Sequence, residues 1–220
     1  MPHAVITGAN RGIGLEFCRV LTDRGYAVTA LCRQASGALQ ALSVTIHEGY
    51  DVTDAAVVEA VAQALAPASI DLLINNAGIL RNESLDSLDF DSIRRQFEVN
   101  ALGPLRVTQS LLPALKTGAK IALITSRMGS ISDNDSGGRY GYRMSKAALN
   151  IAGVSLANDL ASRGIAVAIL HPGYVRTDMT SHSGLIDPEE SVAGLLARIE
   201  QLTVETSGSF WHTNGELLPW

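Results

Sequence analysis

The chain has 220 residues, 46% hydrophobic and 18% charged, with 20 glycines and 7 prolines. This is an ordinary soluble α/β composition, long enough for one large core, and it excludes a disordered or staple-dependent chain. Seventeen basic against 22 acidic residues leave a net charge of −5, which argues against nucleic acid or an anionic membrane as the main partner. Two cysteines, Cys18 and Cys32, are too few for a disulfide framework or a zinc site. No apolar run has the length of a membrane span, and no basic leader precedes Ala4-Val5-Ile6, so a cytoplasmic location and a small-molecule ligand are expected.

Strand-length apolar runs alternate with helical patterns along the chain. His3–Thr7 reads as the first strand, followed by an amphipathic segment near 13–24 and strands at Ala27–Cys32 and Ser43–Gly49. A helical pattern near 54–65, a strand at Ile70–Asn75, a long helical pattern near 91–116 and a strand at Lys120–Thr125 come next. The remainder reads as a helix near 142–162, a strand at Ile165–Leu170, a helix near 188–203 and a last strand at Ser209–His212. Strands apolar on both faces and separated by helices predict a parallel sheet covered on both sides. Right-handed crossovers then give a Rossmann-type doubly wound α/β fold of about seven strands. No linker, repeat or low-complexity tract intervenes, so a single domain over 1–220 is expected. Its ligand crevice lies at the carboxyl ends of the strands, where the irregular stretches 76–90, 127–141 and 178–187 emerge.

The first strand runs into Thr7-Gly8-Ala9-Asn10-Arg11-Gly12-Ile13-Gly14 and then a helix. Glycines there permit a tight turn and close backbone approach, and the helix N-terminus offers unpaired N–H groups to a phosphate. The spacing G-x-x-x-G-x-G departs from the common G-x-G-x-x-G fingerprint, but its place between strand and helix points to dinucleotide binding. An acidic residue closing the second strand would grip the ribose hydroxyls of NAD. Here Cys32 and Arg33 occupy that place, and Arg11 lies in the phosphate loop. Two guanidiniums and no carboxylate suit a 2′-phosphate, so NADP(H) is expected in preference to NAD(H); the alternative for Arg33 is a solvated loop charge.

Tyr142 and Lys146 are four residues apart and project from one helix face. The ammonium is expected to favour the phenolate and to lower the Tyr142 pKa toward neutrality. Tyr140 has Met144 at the equivalent spacing and gains no such partner. Ser126 closes the fifth strand, placing a hydroxyl where a substrate carbonyl would need one. Pro104 cannot donate to the carbonyl of Asn100, four residues back, which leaves that oxygen free to hold a water; a plain proline kink is the alternative.

In this order and spacing the chain resembles the short-chain dehydrogenase/reductase family over nearly its whole length. The shared motifs are Thr7-Gly8-x-x-x-Gly12-x-Gly14, Asp51-Val52, Asn75-Asn76-Ala77-Gly78, Asn100, Ser126, Tyr142-x-x-x-Lys146 and Pro172-Gly173-x-x-x-Thr177. Residues 126–143 look most like the C-factor and sniffer-type carbonyl reductase branch. The resemblance implies that Tyr142 protonates a carbonyl oxygen while hydride leaves the nicotinamide, that Lys146 binds the nicotinamide ribose and poises Tyr142, and that Ser126 orients the substrate. It also implies that Asn100 anchors a proton relay. Gly8, Asn10, Arg11, Gly12, Ile13 and Gly14 would hold the phosphates, and Arg33 the 2′-phosphate. Asp51 and Val52 would flank the adenine, while Asn76, Ala77 and Gly78 shape the strand end beside the cofactor, Asn75 being structural. Pro172, Gly173, Val175 and Thr177 would set the nicotinamide face.

Ser126 and Tyr142 are 16 positions apart, further than in most of the family, and Ser130 and Ser132 are also available in between; the same longer loop in the C-factor-like branch favours Ser126. Asp133-Asn134-Asp135-Ser136-Gly137-Gly138 in that loop lacks the bidentate Glu of a calcium loop, and the histidines have no metal-ligand spacing, so no metal is expected. His171 reads as a packed strand-end residue, and Trp211 and Trp220 as packing for the last strand and tail. Cys32 has two readings: a thiol whose pKa the neighbouring Arg33 lowers, or, as for most such cysteines, an inert one. The leading function is NADPH-dependent reduction of a ketone or aldehyde. The alternative is a nucleotide-binding signalling or regulatory protein of the C-factor type without turnover, and an epimerase or dehydratase would need a larger substrate region. The segment between Thr177 and Pro188 is short, which predicts an open substrate site. Helices 91–116 and 142–162 are where relatives pair, and Ala147, Ala148, Ala152 and Gly153 allow close contact, whether with a second copy in a homodimer or with the sheet.

Overall fold

The computed structural model describes residues 1–67 and 69–220. Seven strands form one parallel sheet: β1 (His3–Thr7), β2 (Ala27–Leu31), β3 (Thr45–His47), β4 (Ile70–Asn75), β5 (Leu115–Ile124), β6 (Ala166–His171) and β7 (Phe210–His212). The order β3-β2-β1-β4-β5-β6-β7 reverses direction between β1 and β4, which opens a crevice at the carboxyl ends. This is the Rossmann-type doubly wound architecture expected.

Alternation along β1 shows how both faces are filled. Ala4 and Ile6 face one core with Phe17 and Leu21 of α1 (Gly12–Asp23) and Leu195 and Ile199 of α7 (Pro188–Gln201). Val5 faces the other core, with Val107 and Leu111 of α5 (Gly103–Leu111) and Leu149 and Leu160 of α6 (Tyr140–Leu160). Two further helices, α2 (Gly37–Gln40) and α3 (Ala55–Ala64), contribute Leu39 and Val58 to opposite cores. Each such fully buried side chain contributes roughly 1.5–3 kcal/mol. Gly153 brings α6 against the sheet: a Cβ there would lie 2.7 Å from Ile169 Cδ1. That glycine serves helix–sheet packing.

The long helix expected over 91–116 is three pieces. α4 (Phe90–Phe97) passes into a π-turn at Glu98–Leu102 and then into α5. Gly103 N–H bonds to the Glu98 carbonyl, five residues back, so the chain accommodates Pro104 by widening the helix. The helix ends at Leu111 because Pro113 cannot continue the ladder, and β5 starts at Leu115, five residues earlier than expected. A register irregularity between Ile70 and Leu72 lets the early part of β5 pair with β4.

Candidate active site

The phosphate loop is tied to the end of β4 by short polar contacts. Thr7 Oγ1 accepts from the main-chain N–H groups of Asn76 and Ala77, both at 3.0 Å. Asn76 Nδ2 donates to the carbonyls of Thr7 and Gly8 at 3.1 Å. Gly8 has φ +66° and Gly12 φ +53°, and a Cβ on Gly14 would fall 2.2 Å from the Gly8 carbonyl oxygen. The Arg11 side chain makes no cap to the first turn of α1, whose leading N–H groups a helix leaves without intrahelical acceptors. Ile13 packs beneath them on the first core. A glycine cradle ending on uncapped N–H donors fits a dinucleotide pyrophosphate.

Beyond the end of β2, Ser36 Oγ donates to the Asn10 carbonyl at 2.6 Å and also caps α2. Arg33 is exposed and, among the described residues, has no ion-pair partner. Arg11 pairs with Asp178 at 2.9 Å across the mouth of the crevice. Cys32 follows the inert reading: burial pushes the thiol pKa up, and Glu48 adds to the shift, so Arg33 does not activate it. Burial also opposes ionisation of Asp51. Hydrogen bonds from Thr53 and the charge of Arg95 outweigh it and hold the carboxyl below its usual range. Val52 packs under Gly103, where a Cβ would meet Val52 Cγ2 at 2.8 Å.

Asn75 is structural, donating to Thr108 Oγ1 at 3.1 Å inside the core. Asn100 exchanges two hydrogen bonds with the main chain of Ile79, both at 2.8 Å, and donates to Ser145 Oγ at 3.0 Å. Ser145 in turn donates to the Tyr142 carbonyl at 2.8 Å. The Asn100 side chain thus links the π-turn, the β4 loop and α6.

Ser126, Tyr142 and Lys146 are all buried at the carboxyl end of β5. The Lys146 ammonium lies 5.8 Å from the Tyr142 ring centroid and donates to the Ile124 carbonyl at 2.9 Å. A Cβ on Gly78 would be 3.7 Å from Lys146 Nζ, so the absent side chain keeps that approach open. Burial lowers the Lys146 pKa to about 8. The Tyr142 result corrects the expectation. Burial raises its pKa, and the Ser126 hydroxyl and the Arg139 guanidinium only partly oppose the rise. The phenol therefore holds its proton at neutral pH. Ser130 and Ser132 are used elsewhere: Ser130 Oγ accepts from Asp133 N–H, and Ser132 Oγ donates to the Trp220 carbonyl. Tyr140 is only half-buried, whereas Tyr142 is buried.

Downstream of β6, Gly173 has φ +85° and Val175 is buried, bridging to Ile186. The Pro172 carbonyl accepts from Ser191 Oγ at 2.7 Å. Thr177 meets the phosphate loop, its Cγ2 lying 3.2 Å from where a Gly12 Cβ would stand. His171 packs edge-on against His212, ring centroids 4.9 Å apart, and burial lowers its pKa to about 3.

Two residues of this region carried no sequence signal that singled them out. Glu83 is buried and accepts from Ser92 Oγ at 2.9 Å, Gln96 Nε2 at 2.5 Å and the Gly141 N–H at 3.3 Å, anchoring the start of α6. Arg139, the left-handed residue before α6 (φ +50°), acts on the Tyr142 phenol through its charge.

The family model described as short chain dehydrogenase matches residues 2–185. The 1-hydroxy-2-glutathionyl-2-methyl-3-butene dehydrogenase of Rhodococcus sp. (strain AD45) is 44% identical, covering 100% of both chains. The C-signal protein of Myxococcus xanthus is 46% identical over 154 residues, 69% of this chain and 93% of its own. Among solved structures, the NADPH-bound carbonyl reductase from chicken fatty liver superposes with a TM-score of 0.92 at 32% identity, covering 100% of this chain and 99% of that one. The carbonyl reductase Sniffer of D. melanogaster also gives 0.92, at 28% identity and 100% coverage of both.

Proposed function

The chain belongs to the short-chain dehydrogenase family, and from that premise we propose that it is a cytoplasmic NADP(H)-dependent oxidoreductase that reduces a ketone or aldehyde to an alcohol. The whole chain, 1–220, acts as one nucleotide-binding unit with the reacting groups built in. The observation that carries the reading is the buried Ser126–Tyr142–Lys146 set at the carboxyl end of β5, in a sheet whose β1 ends on the glycine cradle.

When held by the glycine cradle, NADPH would supply the hydride that the carbonyl carbon accepts. Ser126 positions the carbonyl oxygen, and Tyr142, protonated at neutral pH, gives that oxygen its proton. Lys146 stabilises the resulting phenolate and passes back a proton, its lowered pKa making that transfer easy near pH 8. The Asn100 carbonyl, which Pro104 cannot donate to, would hold a water linking Lys146 to solvent. Main-chain groups at Val175 and the hydroxyl of Thr177 orient the nicotinamide, which turns binding into rate. Reversal of the same steps oxidises an alcohol.

Preference for NADP(H) rests on Arg33 and Arg11 and on the lack of a carboxylate closing β2. NADPH-bound and NADP-bound structures among the neighbours agree with it. Titration with NADPH and NADH tests it: NADPH is expected to bind at least about tenfold more tightly, with the gap closing in Arg33→Ala. Equal affinities would sink the assignment. The similarity to C-signal keeps a regulatory, non-catalytic role as the alternative, but a mere nucleotide binder has no use for a buried acid–base pair. Homodimer formation is proposed through the apolar groove between α5 and α6 that Leu105, Leu112 and Leu156 line, with light scattering as the check.

A further inference from the structure

We propose that the cavity beside Tyr142 recognises a carboxylate carried by the substrate at a distance from its reacting carbonyl, with Arg139 and Arg143 as the binding cations. This rests on the reductase reading above and narrows its substrate class. The cavity has a volume of about 560 Å³, within the usual range for small-molecule sites. Asn82, Glu83, Met128, Gly138, Arg139 and Arg143 are among its lining residues.

The cavity begins where the reacting site ends. Met128 N–H donates to Ser126 Oγ at 3.1 Å, and Met128 Sδ lies 3.8 Å from Arg139 Nη1. Arg139 is held at the wall by its own N–H to the Glu83 carbonyl, 2.8 Å, and by Nε to Asn82 Oδ1, 3.0 Å.

The charges here are unbalanced. Among the described residues neither Arg139 nor Arg143 has a carboxylate within ion-pair distance. Glu83, the acid in the lining, is committed to Ser92, Gln96 and the Gly141 N–H. Arg143 holds the loop through Nη2 to Ser136 Oγ, 2.8 Å, and Nε to the Gly137 carbonyl, 3.3 Å; its Nη1 is shielded and finds no acceptor among the described residues, so this cation acts on a ligand by its charge, while the exposed Arg139 offers N–H groups. A carboxylate is the group whose geometry matches the Arg139 fork, and the Arg143 charge beside it favours an anion. Gly137 and Gly138, both with positive φ, form the rim; nothing stands within 4 Å of a Cβ built at Gly137.

The test compares two aldehyde acids, para-carboxybenzaldehyde and the longer para-carboxycinnamaldehyde, each against its methyl ester, with NADPH present. The wild type is expected to favour at least one acid over its ester by about tenfold in kcat/KM, through KM. The ratio should fall toward one in Arg139→Gln and Arg143→Gln and persist largely in Arg143→Lys. Because Arg139 also acts on Tyr142, the acid-to-ester ratio is the readout, which cancels any common change in proton transfer. Should Arg139→Gln not fold, the two Arg143 variants decide. Acids no better than esters, or ratios untouched by the Arg143 change, overturn the proposal alone. If no aldehyde is reduced, the reductase reading fails and takes the proposal with it.

Discussion

Lys146 Nζ donates to the main-chain carbonyl of Ile124 at 2.9 Å, so the buried ammonium is met by a dipole, with no carboxylate at ion-pair distance among the described residues. Burial alone drives its pKa down to about 8 from the ordinary 10.5. Below about pH 8 the folded protein bears the full cost of the buried charge. From about pH 8 to 10 the unfolded chain still holds this proton and the folded one does not, so the Lys146 contribution to stability rises with pH. Lys146→Met should abolish this rise and melt no lower than wild type at pH 7, while losing about a hundredfold or more in turnover. Denaturant titrations of both proteins across that pH range check it.

Gly14 carries the tightest approach in the phosphate loop, a Cβ there falling 2.2 Å from the Gly8 carbonyl oxygen. Gly14→Ala should cost roughly 1–3 kcal/mol and weaken nucleotide binding as the loop and the β4 end move apart. Thermal melts and a cofactor titration read the two effects separately.

Glu83 anchors the start of the helix that carries Tyr142. In Glu83→Ala, Gln96 Nε2 and the Gly141 N–H lose their acceptor, which should cost roughly 1–3 kcal/mol. Glu83→Gln, which keeps one acceptor oxygen, should restore part of both stability and turnover. Urea unfolding alongside steady-state kinetics provides the check.

The Arg11–Asp178 pair spans the crevice with both side chains more than half exposed, so its loss should change stability by less than about 1 kcal/mol. Asp178→Asn frees Arg11 for the 2′-phosphate and should tighten NADPH severalfold while leaving NADH nearly unchanged. Calorimetric titration with both cofactors measures this.

The sheet was legible because its strands are apolar on both faces and separated by helices; β1 and β4 fall at their expected bounds. The start of β5 was not, because Lys116, Thr117 and Gly118 interrupt its apolar pattern and a register shift restores the pairing. Pro104 announced a break in the helix ladder, but a widened π-turn and a kink begin from the same missing N–H. The four-residue α2 is too short to show a period. At the site, the glycine spacing and the Tyr142–Lys146 interval are local patterns that a sequence displays. The Tyr142 pKa depends on burial, which spacing does not report, and so came out opposite in direction. Glu83 and Arg139 act across 58 positions to Gly141 and through a left-handed residue, respectively, neither of which leaves a motif.

The most direct test of the central claim is a single-turnover experiment that follows nicotinamide absorbance after mixing the NADPH complex with an aldehyde, for wild type and Tyr142→Phe. Loss of the phenolic proton should slow hydride transfer by about 10³-fold while the NADPH dissociation constant stays within about twofold. Equal rates of NADPH oxidation in the two proteins would contradict the account.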